Sequence, residues 1–340
     1  MADTLAERSG VTIFCPGPRN LITDVAGLTV GHATDEIAQT GVTVLLTDSA
    51  WTAAVDIRGG GPGVRETETL NPENVVPGIH AIALSGGSVF GLAAADGVVS
   101  RLSEAGIGMR LRAGGKAIPI VPAAVLHDLN NPGDKDWGEL SPYRALGMAA
   151  VEAAAAGFAL GSVGAGRGAM VGYRKGGIGS ASLDCGDGII VGALVAANSV
   201  GSPYMSDGET FWAWPFEMDG EFGGKRPAAD VIAHDPVPAL SRLDALGKLA
   251  PGGNTTLAVI ATNARLTKGE AKRIAIMAQD GMARAIRPLH TPFDGDLVFT
   301  LASGEIVLPD DASRNVAITR IGSAAADTLA RAVARGVHHA

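Results

Sequence analysis

Aromatic residues, cysteine and clustered positive charge are all scarce in this chain, and each shortage narrows the possibilities. Phe, Trp and Tyr make up 4% of the 340 residues, so the core must be built from Ala, Val, Ile and Leu. Two cysteines, Cys15 and Cys185, rule out a disulfide framework and a Cys-rich zinc site, and fit a reducing compartment. Lys and Arg number 27 against 35 Asp and Glu, a formal net charge of −8. With no basic run, the sequence argues against a nucleic-acid or anionic-membrane partner. The most apolar candidate span, Ile189 to Val200, is too short to cross a bilayer. The opening MADTLAERSG has acidic residues and no apolar stretch, which argues against a secretory signal. The expectation is a cytoplasmic protein.

What is present is glycine, 47 residues of it, within a chain that is 46% hydrophobic. That suits one large or two ordinary domains with many tight turns. Val42 to Thr47 and Ile79 to Leu84 read as buried strands. An Ala-rich helix follows Ser88 and stops before Gly106. Ser141-Pro142 predicts a second helix, with Ser141 as N-cap, running to near Gly157. Ile189 to Ala197 reads as a strand ending on Asn198. From Gly201 to about Gly253 the chain is rich in proline and holds three of the four Trp, which predicts a loop-rich, mobile connector. Then regularity returns. Thr255 to Thr262 reads as a strand. Thr267 and Glu270 form a capping-box pattern before a helix to about Ile286. Leu297 to Ala302 is a further strand, and a last helix runs from Ser313 to Ala334, leaving His338 and His339 in a frayed tail.

Several motifs fail their context tests. Gly164 to Ala169 has the G-x-G-x-x-A spacing of a dinucleotide fingerprint, but no helix pattern follows it. Ile57 to Thr67 is glycine-rich without the Gly-Lys-Ser/Thr of a nucleotide loop, so it reads as a backbone nest or a close-packed loop. The seven His show no paired metal spacing. His290 with Asp294 and Asp296 could suggest a metal cluster, but Asp294-Gly295-Asp296 reads better as a tight turn before a strand. No G-x-S-x-G elbow occurs. No metal and no cofactor is expected.

That leaves Asn254-Thr255. Alone it is an ordinary strand start. Gly252 and Gly253 just before it allow the strained backbone that an N-to-O acyl shift needs, and a long connector lies upstream. A hydroxyl at the head of a rigid strand, freed with its own α-amine, would have nucleophile and base on one residue, because an α-amine titrates at about pH 8. Such a residue still needs an oxyanion hole.

On these residues the sequence resembles the L-aminopeptidase/D-esterase family, which includes β-peptidyl aminopeptidases and nylon-oligomer hydrolases. The segments NLITDVAGLTVGHAT, VDIRGGGPGVRETETLNP, ALSGGSVFGLAAADGV, SVGAGRGA, KGGIGSASL, GALVAANSVG, GGNTTLAVIATNARL and HTPFDGDLVF carry the resemblance across nearly the whole chain. It implies one catalytic domain, residues 1–340. The implied fold class is α/β (α+β), an αββα sandwich of the N-terminal-nucleophile type with an architecture like that of ornithine acetyltransferase. It implies self-cleavage between Asn254 and Thr255 into 1–254 and 255–340. By the same resemblance Thr255 is nucleophile and base, Asn198 donates to the oxyanion, and Asp294 and Asp296 orient the amine and hydroxyl. The acidic pair is closer to the nylon-hydrolase branch, since the aminopeptidase branch has Ser and Glu there. Two departures bear on substrate binding. A Tyr of relatives falls at His127, and a Lys of relatives falls nearest Tyr173, with Lys175 two residues on. The implied activity is hydrolysis of a peptide or small amide, with relatives forming homotetramers. Acyl transfer of the ornithine acetyltransferase type, or an unprocessed binding protein on the same scaffold, are the alternatives.

Overall fold

In a computed structural model the described residues are 14–231, 235–243 and 254–340. The N-terminal decapeptide, His234, and Gly252 with Gly253 lie outside them. The chain forms eleven described strands: β1 (Leu28–Asp35), β2 (Thr40–Ile57), β3 (Gly63–Arg65), β4 (Ile79–Ser85), β5 (Ala123–Val125), β6 (Met170–Val171), β7 (Arg174–Lys175), β8 (Gly177–Asp184), β9 (Ile190–Asn198), β10 (Thr255–Ala264) and β11 (Leu297–Ile306). Four described helices are α1 (Ala94–Glu104), α2 (Tyr143–Glu152), α3 (Lys268–Ala285) and α4 (Ser313–His338).

One strand organises the layers. The 18-residue β2 pairs with β1 and β4 along Thr40 to Thr47, and with β11 along Thr52 to Ile57. A register shift between Leu46 and Trp51 separates the two halves. β2 therefore joins a β1, β2, β4, β5, β3 sheet to a β2, β11, β10, β9, β8 sheet. The side-chain period of two then fills three apolar layers. On β10, Leu257, Val259 and Ala261 lie in one cluster with Leu28, Leu45, Leu84 and Phe299, which is the layer between the sheets. Ala258 and Ile260 lie in another with Ile274, Met282, Ile321 and Val333, the layer under α3 and α4. Val42, Val44, Ala83, Val98 and Ala150 form the third, under α1 and α2. The order is helix, sheet, sheet, helix, as expected. The interior is overwhelmingly aliphatic, with Trp51 among its few large rings.

Three boundaries differ from the sequence reading, each for a local reason. Pro142, not Ser141, occupies the capping position of α2; the helix starts at Tyr143 and no side chain caps it. That helix ends at Glu152 because Ala155 is drawn into a two-way backbone bridge with Val30. The last helix continues to His338, held by Arg335 on the carbonyl oxygens of Asn20 and Ser180. By contrast, the capping box of Thr267 and Glu270 forms as read. No helix among the described residues is long and apolar enough to cross a membrane.

Candidate active site

Thr255 is the first residue of β10, and Asn198 is the last of β9. The antiparallel register places them directly opposite each other, so both side chains leave the sheet on the same face. That face belongs to the layer between the sheets, as Leu257 two residues on shows. The other neighbour, β11, runs parallel to β10 and pairs Leu257 with Leu297. Extending that register by two residues sets Gly295 beside Thr255, and an isolated bridge sets Asp294 beside Asn254. The predicted residues Asn254, Thr255, Asn198, Asp294 and Asp296 thus meet at the ends of three adjacent strands.

The contacts there are short and buried. Thr255 Oγ1 donates to the Asn254 carbonyl oxygen at 2.5 Å. The Gly295 N–H donates to that same oxygen at 2.9 Å. Asp296 is fully buried; its Oδ1 accepts the Thr256 N–H at 2.7 Å, and its Oδ2 accepts the His290 N–H at 3.0 Å. His290 Nδ1 lies 2.9 Å from Oδ2 as well. Asp294, also buried, accepts the Val200 N–H at 3.1 Å and the Thr291 hydroxyl at 2.5 Å. Burial and then the neighbouring Asp296 charge push the Asp294 carboxyl up to about 6. Asn198 Oδ1 accepts the Met170 N–H at 2.9 Å, and Nδ2 donates one hydrogen to the His127 carbonyl at 3.1 Å. Its second amide hydrogen is not needed for that bond.

The glycine-rich Ile57 to Thr67 loop is a cradle for the acidic turn. The N–H groups of Arg58 and Gly59 donate to the Asp296 carbonyl, and that of Gly61 to the Asp294 carbonyl. Gly59 and Gly295 are required by space. A Cβ on Gly59 would sit 2.2 Å from the Asp296 nitrogen, and one on Gly295 would sit 2.7 Å from Thr255 Oγ1. The loop is close-packed, and these donors serve carbonyls rather than an anion. The Gly164 to Ala169 segment is likewise a packed turn: a short 3-10 turn with Ala165 N–H on Thr43 Oγ1, and no helix after it.

Thr255 lines a pocket of about 390 Å³ together with His127, Ser88, Val89, Leu92 and Pro62. Two larger cavities, about 510 and 460 Å³, lie along α4 and contain none of the predicted site residues. The smaller one is the candidate active site because the chemistry is there. His127 faces it. Tyr173 and Lys175 do not line it: Tyr173 is 52% exposed on the β6–β7 turn and Lys175 is exposed on β7. Sequence reasoning weighed His290 with Asp294 and Asp296 only as a metal cluster and did not foresee its direct contact with Asp296, although both fall in the segment HTPFDGD. It also missed Arg242, whose guanidinium donates to Asn254 Oδ1 and for which no sequence signal exists. No cluster of three or more His, Cys, Asp and Glu side chains with metal-ligand geometry occurs among the described residues.

Comparison with known proteins decides the family. The sequence model of peptidase family S58 matches residues 20–340. The protein belongs to peptidase family S58. An uncharacterized aminopeptidase of Mycobacterium tuberculosis is 43% identical to this S58 chain over 337 residues, 94% of each. A 6-aminohexanoate-oligomer endohydrolase of a Kocuria species is 32% identical over 337 residues, 95% of this chain and 87% of its own. Among solved structures, a Burkholderia beta-aminopeptidase superposes with a TM-score of 0.68 at 26% identity, covering 96% of this chain and 88% of its own. The L-aminopeptidase D-Ala-esterase/amidase of Ochrobactrum anthropi, described as a variant of the Ntn hydrolase fold, superposes with a TM-score of 0.66 at 21% identity, covering 95% and 86%. The latter likeness concerns the fold alone. The four-layer arrangement of this S58 protein is therefore of the Ntn-hydrolase type, and the protein is an aminopeptidase-type hydrolase acting on peptide or other amide bonds.

Proposed function

We propose that the protein is a self-processing amide hydrolase whose nucleophile is Thr255 and whose first substrate is its own Asn254–Thr255 bond. One observation carries the reading: Oγ1 of Thr255 and the N–H of Gly295 both converge on the Asn254 carbonyl oxygen, at 2.5 and 2.9 Å. Attack of Oγ1 on the carbonyl carbon puts negative charge on that oxygen, where a backbone donor already waits. Collapse breaks the C–N bond, the nitrogen takes a proton and becomes the α-amine of Thr255, and Asn254 is left as an ester on Oγ1. Water then releases the fragments 1–254 and 255–340.

The freed amine serves as the base for later turnovers. A substrate amide is attacked by Oγ1, its leaving amine takes the proton, and water activated by the Thr255 amine hydrolyses the ester. Asn198, opposite Thr255, gives its second amide hydrogen to the oxyanion. Asp296 orients the nucleophile through the Thr256 N–H, and Asp294 braces the turn that carries Gly295. His127 meets the acyl part of a peptide or small amide in the pocket. By the family resemblance the acidic pair is closer to the nylon-hydrolase branch, which favours an amino-acid oligomer or short peptide as substrate. Tyr173 and Lys175 have no place in the pocket of one chain, and a substrate role for them would need an assembled oligomer. Intact mass of the purified protein beside a Thr255→Ala variant tests the reading: two fragments split after Asn254 for wild type, one full-length chain for the variant. An active wild type of full-length mass would sink it.

A further inference from the structure

The cut would turn Asn254 into a C-terminus, and the structure already holds that residue by its side chain. Arg242 lies twelve residues upstream, and its Nη2 donates to Asn254 Oδ1. The same nitrogen is 3.3 Å from the carbonyl oxygens of Met170 and of Ser199. The Arg242 backbone N–H donates to the Val200 carbonyl at 2.9 Å. Val200 N–H in turn donates to Asp294. The guanidinium thus joins Asn254 to β6 and to the end of β9, beside the acidic turn. Its hydrogen-bond acceptors among the described residues are all neutral oxygens, the charge of the buried Asp294 carboxylate acts on it from nearby, and its Nε is buried with no acceptor among the described residues. A guanidinium fork is matched to a carboxylate, which takes two parallel N–H donors. A neutral side-chain amide uses only part of it.

Hydrolysis of the Asn254 ester supplies a carboxylate at that place. Water adds its oxygen to the Asn254 carbonyl carbon, the bond to Thr255 Oγ1 breaks, Oγ1 regains a proton, and the new acid loses one. We propose that Arg242 is the receptor for this C-terminus: it pins Asn254 through Oδ1 before the cut and pairs with the Asn254 α-carboxylate after it. The proposal rests on self-cleavage at Asn254–Thr255. Before the cut Arg242 is a positioning residue, acting through Asn254.

The test follows processing by intact mass in wild type, Arg242→Met, Arg242→Lys, Asn254→Ala and the Arg242→Met/Asn254→Ala double variant. Arg242→Met is expected to process at least about tenfold more slowly than wild type, Arg242→Lys in between, and the double variant no more slowly than Asn254→Ala, because coupled residues do not add. Thermal unfolding of Arg242→Met in a Thr255→Ala background, where no cut occurs, separates folding from processing. A second readout uses the processed protein. Carboxypeptidase is expected to leave the wild-type large fragment ending at Asn254 and to trim the Arg242→Met fragment at least about tenfold faster. Processing of Arg242→Met within twofold of wild type, independent effects in the double variant, or equal trimming would each overturn the proposal. A Thr255→Ala chain that is still cut, or a wild type cut elsewhere, would instead overturn the self-cleavage reading beneath it.

Discussion

The chain is built differently on the two sides of Thr255. From Thr255 onward it is two strands and two long helices whose apolar faces fill two core layers. The described connector, residues 201–231 and 235–243, has one three-residue 3-10 turn and two isolated bridges, Ser202 to Arg287 and Tyr204 to Phe211. It is held largely by aromatic side chains. Tyr204, Phe211 and Phe222 form a chain of ring contacts at 4.5 and 5.4 Å, and Arg287 stacks on Trp212 at 4.8 Å. The connector is loop-rich, as expected, yet packed, since Phe211 and Phe222 are buried in the core beneath α3 and α4. The difference suits the proposed chemistry. A nucleophile needs the rigidity of a ladder, while the chain that leads to the acyl side of the bond is anchored mainly by side chains.

Removing the nucleophile breaks this comparison most completely. Thr255→Ala should abolish processing and lower amide hydrolysis by about 10³-fold or more, measured by mass and by product release. Thr255→Ser should keep both. Next is the cradle that holds the rigid side. Gly59→Ala drives a Cβ to within 2.2 Å of the Asp296 nitrogen, a backbone atom that cannot swing away. It should destabilise the fold by about 1–3 kcal/mol and slow processing as well. Gly157→Ala, with nothing within 4 Å of its Cβ, should do neither. Equal effects from the two would show that the turn is not sterically set.

The third prediction concerns charge. Asp294 is raised to about 6, so the folded protein holds this proton more tightly than the unfolded chain. Its contribution to stability is fully present below the unfolded value, near 4, and is lost as pH rises through about 6. Both its oxygens receive donors, from Val200 and Thr291, which suit the ionised form. Processing by wild type should therefore fall as pH drops below about 6. Asp294→Asn should process about tenfold more slowly at pH 7.5 and lose that inflection, while gaining stability relative to wild type between pH 5 and 7. A pH profile for Asp294→Asn that overlays wild type would remove Asp294 from the site.

How much of this was legible follows from the range of each interaction. The Thr255 strand and the Asp294-Gly295-Asp296 turn are local patterns, and a parallel register brings them together. β2 was half hidden, because Asp48-Ser49-Ala50 interrupts its apolar period at the point where the strand passes between sheets. His290 reaches Asp296 from a left-handed backbone at φ +54°, which its sequence does not announce. Arg242 reaches Asn254 across a connector with no regular period. Tyr173 and Lys175 were placed by analogy of position, and the β6–β7 hairpin turns them outward.

The smallest effect should come from the rigid side at a point remote from Thr255. Glu270 closes the capping box of α3, its carboxylate accepting the Thr267 N–H at 2.7 Å. It also takes a two-pronged bond from Arg314 on α4, at 2.7 and 3.0 Å. The Arg314 hydrogen bonds, followed by the Thr267 donors, hold its carboxyl down at about 2 against the opposing effect of burial. A depressed carboxyl stabilises the fold above its unfolded value, and that stability is lost as pH falls from about 4.5 through about 2. The pair is only partly buried, so solvent screens it. Glu270→Gln should lower stability by about 1 kcal/mol at pH 7, roughly 2 °C in Tm, and the gap from wild type should close toward pH 2. Processing should be unchanged, because α3 and α4 brace the outer layer of the sheet while the bond at Asn254 is held by strand ends on its inner face. A Glu270→Gln protein that folds normally and yet processes slowly would mean that the helix layer, and not the ladder alone, sets the position of Thr255.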